Sequence, residues 1–311
     1  EVGGMCIIAG TITRADGDVD LRVGLDCAGQ SNTAQKRIRI NGVPKRASDM
    51  VGALSAVLFT AEDIDLIFGS PQGRRRYLDI MLSQLGGQYV QALQRYQRVL
   101  TQRNALLRSV RDGRANDSEL AFWDESLCRE GAIVLGARFD AMQRLVPLVS
   151  DAFTRLEAMD QLEISYAATV DFDERPSIEA FATALESHRG AERHAGMTLV
   201  GPHRDDLMIS MNGVEMSKHA SRGQARLAAL SLRVAEASVL EERRGDPPVI
   251  LFDDVLSELD DRRRTLVLEE TAHHTQAIVT TTDVDLVPAT YLSSAHRMRI
   301  EGGQILAEAV A

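Results

Sequence analysis

Pro247-Pro248-Val249-Ile250-Leu251-Phe252-Asp253-Asp254-Val255-Leu256-Ser257-Glu258-Leu259-Asp260-Asp261 sets four consecutive apolar residues between a proline pair and an acidic pair. Such a run predicts a short strand buried on both faces, with two carboxylates at its carboxyl end. Open α/β sheets place their ligands at that end. Asp253 can hold Mg²⁺ there, directly or through water, and Asp254 can orient or deprotonate a water that attacks a phosphate. Taken alone, the same pair serves equally well as the cap of a turn, so the flanking sequence has to separate the two.

On the amino-terminal side, Ser221-Arg222-Gly223-Gln224 opens a long helical pattern through Leu227, Leu230, Leu232, Val234 and Leu240. A serine and a glycine at a helix start present a hydroxyl and bare N–H groups along the axis, where the helix dipole favours an anion. Ser-x-Gly-Gln by itself is also a plain N-cap; its place one helix before the Val249–Asp254 strand makes it specific. On the carboxyl side, Ala277–Thr282 predicts the next strand, followed by Asp283-x-Asp285.

The 311 residues suit about two domains. Apolar content of 44% and charged content of 26% are those of a soluble globular chain. A net charge of −10 excludes coating a polyanion with the whole surface, so nucleic-acid contact needs a local patch. Cys6, Cys27 and Cys128 are odd in number and lack metal-ligand spacing, which predicts free thiols in a reducing, cytoplasmic setting. No apolar run reaches the roughly 18 residues of a membrane span.

Residues 1–60 alternate as half-buried strands do: Met5–Thr13, Asp20–Cys27, Lys36–Ile40, an Asn41-Gly42 turn, then Leu54–Phe59. This is a β-rich lobe. Residues 61–194 read as mainly helical and inserted: a helix after Ser70-Pro71 with Leu78, Met81, Leu82 and Leu85, a second over about Gln88–Arg111, and a third from about Ser118 that kinks or ends at Pro147. Leu162–Val170 reads as a strand, Pro176–His188 as a short helix and Gly190–Ala195 as a loop. Residues 195–311 form the third part, with the strand of the opening segment. Between Asp79 and Asp112 there is no acidic residue, while Arg95, Arg98, Arg103, Arg108 and Arg111 lie there. This is either a solvated helix face or a phosphate-contacting DNA patch.

Signature-like turn, helix, acidic strand and the following Ser257-Glu258-Leu259-Asp260 occur in the order that resembles the carboxyl-terminal half of an ABC-type ATPase head, an α/β fold. Together with Glu62-Asp63, Gly69-Ser70-Pro71-Gln72-Gly73-Arg74-Arg75-Arg76-Tyr77-Leu78-Asp79, Gln102-Arg103-Asn104 and Gly201-Pro202-His203-Arg204-Asp205-Asp206, they resemble the RecF family of bacterial recombination mediators. The match spans nearly the whole chain, with Ala61 standing where the family usually has proline.

The resemblance implies ATP and Mg²⁺ held between two heads of a homodimer. Ser221, Arg222, Gly223 and Gln224 would meet the nucleotide of the partner head. Ser257 and Asp260 belong to the D-loop, Thr281 to the switch position, Asp253 to the metal and Asp254 to catalysis. It further implies a clamp at single-strand gaps and double/single-strand DNA junctions that works with RecR and RecO, with weak DNA-stimulated ATP hydrolysis. His203 and Arg204 lie near the nucleotide, at the head interface, or in an ion pair with Asp205 or Asp206.

No Gly-x-x-x-x-Gly-Lys-Ser/Thr is present: Lys36, Lys45 and Lys218 follow Gln35, Pro44 and Ser217. The expectation is therefore an ATPase head incomplete at its amino terminus. Two rivals stand beside it. One is a metal-dependent nuclease using Asp253, Asp254, Asp283 and Asp285; the other is a nucleotide-free binding module.

Overall fold

The computed structural model describes residues 5–14, 17–26, 35–156, 160–271 and 276–307. Cys27, one of the expected free thiols, lies outside them; Cys6 is exposed and Cys128 buried, both free.

The amino-terminal lobe is an antiparallel meander of β1 (Met5–Ile12), β2 (Val19–Asp26), β3 (Gln35–Ile40) and β4 (Val43–Lys45). The β3–β4 turn is Asn41-Gly42, both at positive φ, as a two-residue hairpin requires. A short α1 (Ala47–Met50) leads to β5 (Ala56–Thr60). The second sheet is parallel, in the order β10-β9-β5, with β9 (Val249–Asp253) central and β10 (Ala277–Thr280) at its edge. Crossovers between parallel neighbours need long connections, and here they carry the helices. On one face of the sheet Val57, Phe59, Ile250 and Phe252 are fully covered. Leu58, Leu251 and Ile278 share a register on the other, and Leu58 and Ile278 are half exposed. The expected burial on both faces therefore holds for one only.

After β5 come α2 (Asp65–Phe68), α3 (Pro71–Leu85), α4 (Gly87–Arg111) and the 37-residue α5 (Leu120–Leu156). Proline at the first position of α3 lacks only an N–H that would find no intrahelical acceptor. Pro147 does not end α5: the helix continues nine residues beyond it, to Leu156, with Val149, Ala152, Phe153 and Leu156 buried. Burial of that last stretch outweighs the one lost backbone bond. Next are β6 (Leu162–Ala167) and α6 (Ile178–Ala195), capped by Ser177 and by left-handed Gly196. Residues 190–195, expected as a loop, are the last turns of α6; the stop signal is Gly196 rather than Gly190.

β7 (Asp206–Met211) and β8 (Val214–Glu215) complete a three-stranded sheet with β6. They are followed by α7 (Met216–His219), α8 (Arg222–Arg244), α9 (Asp261–Thr271), α10 (Ala289–Leu292) and the hairpin of β11 (Met298–Glu301) and β12 (Gln304–Ala307). α8 carries thirteen buried residues and packs against α5, α3 and β5. One apolar cluster runs from Val57 through α3, α4, α5 and α8 to Val287. The helices expected as an insertion therefore share a core with the sheet.

Buried arginines hold the helices to the Gly201-Pro202 turn. Arg138 on α5 donates to Asp79 Oδ1 (2.7 Å), the Pro202 carbonyl (2.7 Å), Tyr166 Oη (3.0 Å) and Tyr89 Oη (3.2 Å). Tyr96 Oη lies 2.7 Å from His203 Nδ1, and His203 Nε2 lies 3.2 Å from the Thr198 carbonyl. Gly201 sits at φ +117, and a Cβ there would meet Phe181 at 2.6 Å and the Tyr96 hydroxyl at 2.7 Å, so only glycine closes this turn. Tyr77, Tyr89 and Tyr96 are core residues.

Burial pushes the His203 imidazole down to about 4, against about 6.5 in an unfolded chain. Between these values the unfolded state binds the extra proton. His203 therefore contributes stability that is present above pH 6.5 and lost as pH falls toward 4, on the order of 3 kcal/mol. Burial raises Asp205, which acts in the opposite direction. The expected result in urea unfolding is a fall in stability from pH 7 to pH 5 that is steeper in the parent than in His203→Gln, which retains a donor and an acceptor. Equal slopes would remove His203 as the cause.

Candidate functional site

The carboxyl end of the parallel sheet gathers the acidic pair. Asp253 is the last residue of β9 and is exposed, paired in register with Thr60 on β5 and Thr280 on β10. Thr280 Oγ1 donates to Asp253 Oδ1 at 2.9 Å. The same hydroxyl accepts from the Asp254 N–H at 3.2 Å, and the Thr280 carbonyl also lies 3.2 Å from that nitrogen. Thr280 thus fixes both acids from the neighbouring strand.

Asp254 stands at φ 51, ψ 20, in the left-handed region, which aspartate tolerates better than most side chains. Its carbonyl accepts from Ser257 Oγ at 2.8 Å. Its Oδ1 is enclosed and has no hydrogen-bond partner. Buried polar atoms are rarely left so, and a carboxylate oxygen without a donor fits a site that receives a water or a cation.

Asp260 Oδ1 accepts from the Arg263 N–H at 2.9 Å, which makes it the N-cap of α9. Arg264 on α9 donates to the Leu256 carbonyl at 2.8 Å. Arg226, in the second turn of α8, pairs with Glu258 through its Oε2 and reaches the Glu258 carbonyl at 3.3 Å. The loop after β9 is therefore tied to the start of α8. At the head of α8, Ser221 Oγ accepts from the Gln224 N–H (3.2 Å) and Gln224 Oε1 accepts from the Ser221 N–H (2.9 Å), a closed capping box. The N–H groups of Arg222 and Gly223 have no intrahelical acceptor. A Cβ on Gly223 would meet nothing nearer than Ser221 Oγ at 4.0 Å, so that backbone is open to approach.

Asp63 accepts from the Thr60 N–H (2.9 Å) and pairs with Arg233 of α8 (2.6 Å), which also binds buried Glu236 (2.8 Å). This ion-pair group sets α8 against the end of β5. The sequence marks Glu62-Asp63 without its partner, because Arg233 lies far away in the chain.

Several expected site residues stand elsewhere. Thr281 is not the threonine beside the acids. Its hydroxyl donates to the Asp283 carbonyl (2.9 Å) and accepts from the Asp283 N–H (3.2 Å), while Thr280 holds the pair. Asp283 Oδ1 accepts from the Asp285 N–H at 3.0 Å and so starts a turn. Among the described residues, no three acidic, histidine or cysteine side chains are placed to hold a metal. Arg103 is not a surface cation: it is fully buried, with Asp124 at 2.7 Å, Glu192 at 2.6 Å and Thr198 Oγ1 at 2.8 Å. Arg95 pairs with Glu130 and Arg111 with Asp112; Arg98 and Arg108 are exposed on α4 and have no carboxylate partner among the described residues. Arg204 binds the Thr198 carbonyl rather than either neighbouring acid, and Asp206 pairs with Arg74.

The chain is 44% identical over 277 residues to the DNA replication and repair protein RecF of Herpetosiphon aurantiacus, an alignment covering 88% of this chain and 71% of that protein. RecF of Chloroflexus aggregans is 41% identical, over 96% of this chain and 80% of its own length. The chain belongs to the RecF family. The solved structure of the recombination mediator protein RecF–ATP in the RecFOR pathway superposes on it with a TM-score of 0.85 and 29% identity, over 98% of this chain and 80% of that one. An Smc head domain with a coiled coil and joint from Pyrococcus yayanosii, at TM-score 0.51 and 12% identity, shares the fold. The architecture of this RecF-family chain is thus that of an ABC ATPase head. No protein-family profile matches it. Among the described residues, no helix is long and apolar enough to cross a membrane.

Proposed function

We propose that this RecF-family chain acts in DNA replication and repair as an ATP-dependent DNA clamp at single-strand gaps and double/single-strand junctions, working with RecO and RecR to load recombinase. The observation that carries the reading is the arrangement at the end of β9. An exposed acid, a second acid with an orphaned oxygen, and the anion-ready start of α8 are joined through Arg226 and Glu258. A relative solved with ATP supports the choice of nucleotide.

The residues present fit Mg²⁺ and a triphosphate. When bound, these supply a phosphoanhydride whose charge the metal neutralises. Asp253 is the residue to hold the metal, and Thr280 keeps its carboxylate turned outward. Asp254 is the acid to orient or take a proton from water at Oδ1 or Oδ2. Ser221, Arg222, Gly223 and Gln224 face the nucleotide of a second copy, with the Arg222 and Gly223 N–H groups as anion donors. Ser257 and Asp260 lie on the loop that meets that second copy.

Ser221→Arg in the full-length protein is the direct test. A bulky cation on this exposed turn is expected to abolish ATP-dependent dimerisation, measured by analytical ultracentrifugation, while the monomer retains ATP. Dimerisation equal to the parent would refute the assignment of this turn.

A further inference from the structure

The chain has 45 acidic residues against 35 basic ones. Among the described residues, Arg74, Arg95, Arg103, Arg138 and Arg233 of the helical layers are paired with Asp63, Asp79, Asp124, Glu130, Glu192 or Asp206, while Arg98 and Arg108 are not. The β3–β4 hairpin departs from this pattern. From Gln35 to Ser48 it carries Lys36, Arg37, Arg39, Lys45 and Arg46 and no carboxylate, including two of the three lysines in the whole chain. All five residues are exposed.

Register decides which way these side chains point. Arg39 lies directly opposite Arg22 on β2, and Arg37 opposite Gly24, so Arg22, Arg37 and Arg39 share one face of the meander. The other face buries Leu21 and Ile38, which turns the arginines toward solvent. Like charges directly opposite one another destabilise a sheet. Neither Arg22 nor Arg39 has a carboxylate or side-chain hydrogen-bond partner among the described residues. Arg37 has a loose contact with Asp26 at 3.7 Å. Asp20, the other acid on this face, accepts from Thr11 Oγ1 at 2.7 Å.

Arg37 and Arg39, about 6.7 Å apart along β3, with Arg22 beside Arg39 across the pair, suit successive negative charges better than a single small anion. Among the described residues, β1 to β4 carry no aromatic side chain on which unstacked bases could lie. Both features favour the backbone of a duplex.

We propose that the arginine face of β2 and β3, with the adjoining β3–β4 hairpin, is the surface on which this chain takes the phosphate backbone of duplex DNA. The assignment rests on the DNA-binding reading above and moves the contact from α4 to the amino-terminal sheet. Arg22, Arg37 and Arg39 are the principal contacts, and they read no sequence.

The test uses the full-length protein with ATP, titrating a labelled duplex by fluorescence anisotropy between 50 and 200 mM salt, values on the order of those over which phosphate contacts are resolved. Arg22→Gln/Arg37→Gln/Arg39→Gln is expected to weaken binding at least about tenfold and to lower the salt slope by about two to three, near 0.9 for each phosphate that is no longer neutralised. Its ATP affinity and melting temperature should match the parent. Arg98→Gln/Arg108→Gln on α4 should keep the parental slope. If the triple variant melts early, the three single variants are read instead, each expected to remove about one unit of slope. A parent that binds duplex while the triple variant or all three singles keep its slope overturns this surface alone. A loss that follows the α4 pair instead also overturns it. A parent that binds no duplex overturns the functional reading and this surface with it.

Discussion

Arg103→Met is expected to destabilise the fold by about 3–5 kcal/mol and to leave the salt dependence of DNA binding unchanged. Arg103 is fully buried, and its guanidinium is shared between Asp124, Glu192 and Thr198. Glu192 is only 1% exposed; without Arg103 it keeps just the Leu199 N–H, at 2.8 Å, on its other oxygen. A carboxylate stripped of its counterion in such a place costs far more than the pair itself contributes. Urea unfolding measures the effect. Replacing Glu192 with leucine in the same chain should recover part of the loss, because the isolated charge is then gone. A destabilisation below about 1 kcal/mol, or a lowered salt slope, would return Arg103 to the surface role that the charge run suggests.

The second large effect is expected at Asp254. In the full-length protein, Asp254→Asn should slow ATP turnover by about 10²–10⁴-fold, the usual contribution of a positioned general base. ATP binding and ATP-dependent pairing of two copies should persist. Asparagine is the substitution to make because it accepts the left-handed backbone of this corner as readily as aspartate does. It also preserves the Ser257 contact, which goes to the backbone carbonyl. Steady-state hydrolysis and equilibrium nucleotide binding, measured side by side, separate lost chemistry from lost affinity. Unchanged turnover would remove Asp254 from the reaction.

Much of the frame is legible in the sequence because local signals and tertiary placement agree. The apolar run at Val249–Phe252 is a strand, the Ser221 capping box opens a helix, and Asn41-Gly42 makes a hairpin turn. What misleads is charge. Arg95, Arg98, Arg103, Arg108 and Arg111 form one sequence pattern, yet Arg103 faces the core, where Asp124 and Glu192 meet it from other helices. The partners are distant in the chain, so the run looks unneutralised. Thr280, which the sequence reading passes over, meets Asp253 for a related reason. Which threonine faces Asp253 is set by the parallel register of β10 against β9, and an apolar pattern does not encode that register. Arg226 and Arg233 escape notice altogether, since a helix interior rich in leucine and alanine gives no sign that two of its arginines bind Glu258 and Asp63.

α5 is the longest helix among the described residues. Its 37 residues, Pro147 included, amount to about 55 Å of helix measured along the axis. It packs against α4, α6, α8, β6 and α9. Phe122 protrudes near one end, two-thirds exposed, and Phe153 is sealed near the other. No loop lies between these two residues, so one element joins the neighbourhood of Phe122 to the packing against α8. The first turn of α5 and the helix that Ser221 begins are thereby linked through a single stretch of continuous backbone.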